Sequence, residues 1–189
     1  MKLSDIEFRA MNTWWRRWGH KHFELPLFQK LGLNPKNRDV LEIGCGNGYG
    51  GHLLNQFEPK SYVGVDVMEE QIGIARRNYP GYEFIVQDAA DLSRFPDASK
   101  DVVVIFGVLH HIPEWRKVID EIARVLKPDG RLFLEEPRGV DIKFFDFFFR
   151  WGHPDSDFGL RPLEDHLRSR GFKFKKQWTP LLMMYHCSK

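Results

Sequence analysis

VLEIGCGNGYGG, Val40 to Gly51, runs an apolar stretch directly into a string of glycines. Val40–Ile43 reads as a buried strand of aliphatic and β-branched residues, ended by Gly44. Gly50 to Phe57 reads as a short helix with His52 and Gln56 on its polar side. A strand, a glycine loop and a helix in this order bring bare amides and a helix N-terminus beside a ligand. The ligand has to be chosen from the residues around the loop. No lysine follows the glycines, which argues against the G-x-x-x-x-G-K-[ST] phosphate loop of nucleoside triphosphate sites. A dinucleotide fingerprint can be laid on Gly46, Gly48 and Gly51, but the strand then ends two residues too early. The loop starts at Gly44 and reads G-C-G-N-G.

The rest of the chain repeats the unit. Tyr62–Val67 (YVGVDV) is a second strand and Glu69–Asn78 a second helix. Tyr82–Gln87 is a third strand, and Asp101–Phe106 (DVVVIF) a fourth with the continuous apolar character of a strand covered on both faces. Trp115, Val118, Ile119, Ile122, Val125 and Leu126 fall three and four apart, so Glu114–Leu126 is a helix with one apolar stripe. Pro128-Asp129-Gly130 then predicts a turn before a fifth strand, Arg131–Glu135. A helix over Leu163–Arg170 precedes two last strands, Phe172–Trp178 and Leu182–Cys187. These two lack a crossover helix and should pair antiparallel at one edge. The alternation predicts an α/β fold with a doubly wound, Rossmann-like seven-stranded sheet. The sheet should be mostly parallel with an antiparallel last strand, and helices should cover both faces.

A chain of 189 residues with 42% apolar residues supports one structural domain. Residues 1–37 read as an N-terminal helical cover, and 38–189 as the main body with an insert at about 138–161. Inserts of that length in a compact domain are usually functional loops. The net charge of +2 is too small to draw nucleic acid by itself. Cys45 and Cys187 form neither a disulfide framework nor a metal cluster, so no metal is expected and the reading is cytoplasmic. The N-terminus carries no signal-peptide pattern, and no apolar run approaches the ~20 residues that span a bilayer.

Three acids narrow the ligand. Glu42 lies inside the first strand, where an uncompensated carboxylate is costly. Asp66 ends the second strand, at the distance where an acid meets ribose hydroxyls in nucleotide-binding βαβ units. Asp88, with Ala89, follows the third strand at the same sheet edge. Glu42 near a cationic group, Asp66 on a ribose and Asp88 on an exocyclic amine suit a cationic aminoacyl nucleoside. They suit a pyrophosphate poorly, because carboxylates repel it.

At these residues the chain resembles the class I S-adenosylmethionine-dependent methyltransferases of the UbiE-like, or type 11, group. VLEIGCGNG, VGVDV, QDAADL, VVIFGVLHHI and ARVLKPDGRLFLEEP are similar to that family's successive motifs, in order, over roughly Val40 to Pro137. The resemblance implies S-adenosylmethionine as cofactor, with Gly44, Cys45, Gly46 and Gly48 along its methionine part and Glu42 near the cationic group. It implies Asp66 on the ribose, Val67 or Met68 flanking adenine, and Asp88 with Ala89 at the adenine edge. Phe106 and Gly107 would pass beneath the sulfonium. His110 and His111 are the candidate bases, His110 matching the catalytic histidine of plant O-methyltransferases.

On the substrate side, Trp14 and Trp18 come from the N-terminal cover, Glu135 ends the fifth strand, and Phe144 and Phe148 share a face of the aromatic insert. Together they suggest a small apolar or aromatic acceptor. Arg16 and Arg17 beside the tryptophans leave a membrane-surface contact conceivable. RNA or protein substrates through the basic aromatic N-terminus, and a non-catalytic nucleoside-binding domain, are the alternatives. A monomer or weak dimer is expected.

Overall fold

The strand that feeds the glycine loop, β1 (Asp39–Ile43), lies between β2 (Ser61–Asp66) and β4 (Lys100–Phe106) and runs parallel to both. The computed structural model describes residues 13–138 and 157–189. Among these, β3 (Glu83–Val86), β5 (Leu126–Pro137), β6 (Lys173–Trp178) and β7 (Leu182–Ser188) complete one sheet in the order β3-β2-β1-β4-β5-β7-β6. Only β7 runs against its neighbours, β5 and β6. The order turns back at β1 and β4, so their carboxyl ends open a crevice where such sheets bind ligands.

Side-chain alternation explains the unbroken apolar runs. Leu41 and Ile43 pack on one face with Val103, Ile105 and the stripe of α5 (Trp115–Val125), which includes Trp115, Val118, Ile119 and Ile122. Val40 joins the other face with Val102, Val104, Phe106 and residues Leu53 and Leu54 of α3 (Tyr49–Asn55). Ile72 of α4 (Glu69–Asn78) completes that layer. A strand buried on both sides has no polar face to show. The last helix, α6 (Leu160–Ser169), packs Leu163 and Leu167 beside α5.

The turn expected at Pro128-Asp129-Gly130 falls inside β5. Leu126 leaves the helix with extended backbone and pairs with Lys100, and the next pairing joins Arg131 to Val102. Lys127 to Gly130 therefore bulge from the ladder, and Lys127 Nζ reaches Asp39 at 3.0 Å and Asp101 at 2.9 Å. The tight turn is real, but strand pairing begins before it.

Ahead of β1, α1 (Trp14–Gly19), a π-helical turn (His20–Glu24) and α2 (Leu25–Lys30) follow one another without a break. Pro26 accounts for the π turn. It has no N–H, and its ring would crowd the carbonyl of His22 four residues back, which a wider turn relieves. The Leu25 amide bonds the His20 carbonyl, five residues back. Phe28 anchors the segment, fully buried with its ring 5.4 Å from Phe106 and 5.9 Å from Phe133. Trp14 and Trp18 point outward, 61% and 50% exposed. Phe144 and Phe148 lie outside the described residues.

Candidate active site

The glycine loop packs tightly at most positions and is open at one. Gly44 N and Cys45 N both bond the Val65 carbonyl, which lashes the loop to the end of β2. Gly44 adopts φ +69°, and a β-carbon there would fall 2.4 Å from Val108. A β-carbon at Gly50 would meet Glu42 at 2.1 Å, and one at Gly51 the Tyr62 hydroxyl at 2.3 Å. Gly48 is backed by Phe84, Ala75 and Tyr79 and does not line the cleft. These glycines make room for the protein itself. Gly46 differs: at φ +50° a β-carbon would have nothing among the described residues within 4 Å. Its bare backbone faces a cavity of about 320 Å³ at the carboxyl ends of β1, β2 and β4, within the size range of small-molecule sites.

Asp66 ties the loop to the second strand. Its Oδ2 accepts from Gly46 N at 3.0 Å and its Oδ1 from Met68 N at 2.9 Å. Burial pushes its carboxyl up, and the amides of Met68 and Gly46 oppose this. A carboxylate has about four lone-pair directions, so capacity remains for a ligand. Glu42 is buried behind the loop, where its Oε2 accepts from the Tyr62 hydroxyl at 2.5 Å. Burial pushes its carboxyl up to about 8, Tyr62 opposes, and the nearby Asp66 adds to the rise. Among the described residues this acid has no cationic partner. Val67, 42% exposed, and buried Met68 and Ala89 give the cleft an apolar wall beside Asp88, whose Oδ1 accepts from Ala90 N. Burial and the acids Glu42 and Asp66 raise the Cys45 thiol well above its usual range, so it is not a nucleophile at neutral pH.

After β4 the two histidines part. His111 lines the cleft. His110 does not: its Nδ1 lies 2.7 Å from Glu136 Oε2, and it is buried. Glu136 Oε1 also accepts from Val108 N at 3.2 Å and Leu109 N at 2.8 Å. Fully buried, this carboxylate holds the backbone that carries Gly107 and Val108 past the loop. Breaking such a network from one side costs about 3–5 kcal/mol. Glu136→Ala is therefore expected to lower the unfolding free energy by roughly that amount, measured by urea denaturation. A loss below about 1 kcal/mol would be that of an ordinary surface site.

The remaining wall is the N-terminal segment. Arg16, Arg17 and His20 line the cleft, and Arg16 Nη2 donates to the Phe106 carbonyl at 3.4 Å beside Gly107. Behind them lie Glu24, which Arg16 Nη1 contacts through its Oε1, and Glu135. Burial works against charge on Arg16, but Glu24 and Glu135 outweigh it and hold the guanidinium charged. Burial raises both carboxyls, Glu135 most strongly, and the nearness of the two acids adds to the rise at Glu135.

Of the residues singled out in the sequence, the cleft brings together Glu42, Gly44, Cys45, Gly46, Asp66, Val67, Met68, Asp88, Ala89, Phe106, Gly107 and His111. Trp14, Trp18, Glu135 and His110 do not line it. Arg16, Arg17, His20 and Gln71 line it without having been singled out for it. Gln71 Oε1 is buried with no hydrogen-bond partner, as expected where a ligand completes the bonding. Among the described residues no group of three His, Cys, Asp or Glu could hold a metal ion, and no helix is long and apolar enough to cross a membrane.

A doubly wound sheet whose switch point carries an open glycine and an acid-lined cleft defines a nucleoside-binding α/β domain. A family model described as a methyltransferase domain matches residues 41–134. A "probable S-adenosylmethionine-dependent methyltransferase" of Mycobacterium tuberculosis is 37% identical over 136 residues, which cover 72% of this chain and 45% of the relative. A fatty-acid O-methyltransferase of Mycolicibacterium smegmatis is 38% identical over 106 residues, 54% of this chain and 38% of that protein. The solved structure of the PH0226 protein from Pyrococcus horikoshii superposes with a TM-score of 0.75 at 25% identity, covering 94% of this chain and 92% of that one. The chain belongs to the class I S-adenosylmethionine-dependent methyltransferases. It spans about half the length of the curated relatives it matches.

The residues present fit the family's cofactor. Among the described residues Gly46 leaves space against bare backbone, Glu42 has no cationic partner, Asp66 keeps acceptor capacity, and Val67 exposes an apolar surface.

Proposed function

We propose that this chain transfers a methyl group from S-adenosylmethionine to a nucleophilic atom of a small, largely apolar acceptor. The observation that carries the reading is the pairing of an open, positive-φ Gly46 with Asp66 and the cation-seeking Glu42 around one cavity. When bound, the cofactor supplies an activated carbon that moves by in-line displacement, so the protein's share is position and orientation, worth ~7–11 kcal/mol of barrier. Glu42 takes the ammonium end, Gly44 to Gly46 line the methionine part, and Asp66 holds the ribose. Val67 and Met68 flank the base, with Asp88 and Ala89 at its edge. Phe106 and Gly107 form the floor at the reacting centre. The helical segment Trp14–Lys30 acts as the cover of the acceptor side, excluding water there. Similarity to a protein named as a fatty-acid O-methyltransferase supports an apolar acceptor.

Calorimetric titration tests the cofactor, and we expect S-adenosylhomocysteine to bind tightly and NAD not at all. Binding of NAD alone would overturn the reading. A screen with methyl-labelled cofactor tests the acceptor class, with transfer expected to small apolar molecules. Transfer to tRNA or rRNA alone would make this an RNA methyltransferase, and transfer to protein alone a protein methyltransferase. Cofactor binding with no transfer to any class would point to a non-catalytic nucleoside-binding domain.

A further inference from the structure

We propose that His20 accepts the proton of the methyl acceptor, that Glu24 positions it, and that the accepting atom is a hydroxyl oxygen. The proposal rests on the methyltransferase reading above. His20 sits in the π turn, lines the cleft, and places its ring 4.8 Å from Phe106 and 6.3 Å from Tyr49. It is only 8% exposed, and its Nδ1 has no hydrogen-bond partner, lying 3.5 Å from Glu24 Oε2. Glu24 Oε2 and Glu135 Oε2 are likewise buried without a well-formed hydrogen bond, and the two acids lie side by side. An unpaired buried polar atom costs about 1–3 kcal/mol. His20 Nδ1 and Glu24 Oε2 face each other, and of the three residues His20 is the one that lines the cleft, where an arriving group meets the cluster. π turns recur at functional sites for the same reason, since the distortion aims side chains that a regular helix would not.

The charges around His20 suit a base. Arg16 and Arg17 precede it on the segment, Glu24 follows, Tyr49 comes from α3 and Glu135 from β5, while β4 contributes the uncharged ring of Phe106. Burial, reinforced by Arg16, holds the imidazole neutral. Glu24 and Glu135 do not line the cleft, so they act through His20. Arg16 fixes Glu24 by Oε1, leaving Oε2 toward the imidazole. In the neutral ring Nδ1 carries its proton toward Glu24, and Nε2 takes the new one.

The balance is simple. An oxygen lone pair forms the bond to the methyl carbon, and the carbon–sulfur pair stays with sulfur. The hydroxyl proton passes to the imidazole, and its bonding pair remains on oxygen. The imidazolium so formed faces Glu24. A neutral amine attacks before losing its proton and a carboxylate has none to lose, so a base in contact with the acceptor serves a hydroxyl most directly. Of the two arginines that line the cleft, Arg16 is half-buried and already committed to Glu24.

The test has two arms, both run with S-adenosylhomocysteine affinity as control. Nitrogen-15 spectra of histidine-labelled protein with S-adenosylhomocysteine, assigned with His20→Gln, are expected to show His20 neutral at pH 7 and protonated on Nδ1. A charged ring, or the Nε2–H form, overturns the proposal. In the second arm, labelled cofactor is offered with phenols, long-chain alcohols and fatty acids of matched length. His20→Gln is expected to cut transfer to hydroxyl probes at least about 100-fold, with S-adenosylhomocysteine affinity within about two-fold. Glu24→Gln is expected to move the acid limb of the rate–pH profile down, as loss of a neighbouring carboxylate lowers an imidazole's pKa. Transfer to fatty acids alone, no transfer to any hydroxyl probe, or equal transfer by His20→Gln overturns the proposal. Failure of the unaltered protein to bind S-adenosylhomocysteine would instead sink the methyltransferase reading beneath it.

Discussion

Asp66→Ala is expected to weaken S-adenosylhomocysteine binding at least about 100-fold. The reasoning starts from what the carboxylate already holds. It accepts from Gly46 N at 3.0 Å and from Met68 N at 2.9 Å, so it braces both the loop and the turn after β2 before any ligand arrives. Alanine removes the carboxylate we propose for the ribose and leaves two amides unpaired at once. A hydrogen bond to a charged group contributes about 1.5–3 kcal/mol, and each 1.4 kcal/mol is tenfold in affinity. Two ribose contacts alone therefore reach a hundredfold.

Asp88→Ala is the control. That side chain is exposed and its Oδ1 serves a local turn through Ala90 N, so a loss below about tenfold, one lost hydrogen bond's worth, is expected. Because burial raises the Asp66 carboxyl, binding should also weaken as pH falls through that raised value. Isothermal calorimetry on both variants measures this, and unchanged affinity in Asp66→Ala would remove Asp66 from the site.

The same residues show why part of this site is legible in the sequence and part is not. Period and chemistry agree along β1, β2 and β4, so the strands, the open loop and the three acids can be read directly. Helix α4 falls on the predicted Glu69–Asn78. Orientation at element ends is harder, because one residue decides it. Glu135 and Glu136 are neighbours on β5 and point to opposite sides, one toward Arg16 and the other toward His110. His110 and His111 divide in the same way: the doubled histidine draws attention, but Glu136 takes the first of the pair out of the cleft.

The N-terminal segment hides its role most fully. Tryptophans at 14 and 18 suggest an inward apolar face, yet both are exposed, while Arg16, Arg17 and His20 face the cleft. Charged residues on a short helix ordinarily read as its solvent side. The π turn before Pro26 also breaks the 3.6-residue spacing on which that reading depends. A buried polar cluster can be read from sequence only once its partners are known, and Glu135 lies more than a hundred residues away.

Glu42→Gln is expected to act in opposite directions on stability and on binding. An ordinary glutamate carboxyl titrates at 4.5, and burial holds this one at about 8 in the folded protein. Below 4.5 both states are protonated and the burial has no electrostatic cost. Between 4.5 and 8 the unfolded chain ionises while the folded one keeps its proton, so stability falls as pH rises. Above 8 the folded carboxyl ionises too and the full penalty remains, on the order of 5 kcal/mol. Glutamine still accepts from the Tyr62 hydroxyl but never ionises. The ligand-free variant should therefore match the parent near pH 5 and exceed it by several kcal/mol at pH 9, in urea denaturation at the two values.

Binding reverses the order, because an ammonium beside Glu42 favours the ionised carboxyl. At pH 7 the parent should release up to one proton per bound S-adenosylhomocysteine, read by calorimetry in buffers of different ionisation enthalpy. The variant should release none from this site, and should bind at least about tenfold more weakly, the worth of one charge-assisted bond. Its deficit should grow from pH 7 to 8, as the parent no longer has to shed the proton, and then level off. Equal proton release by both proteins would place the ligand's cation away from Glu42. The acid that weakens the empty fold would then need another explanation than the cation it awaits.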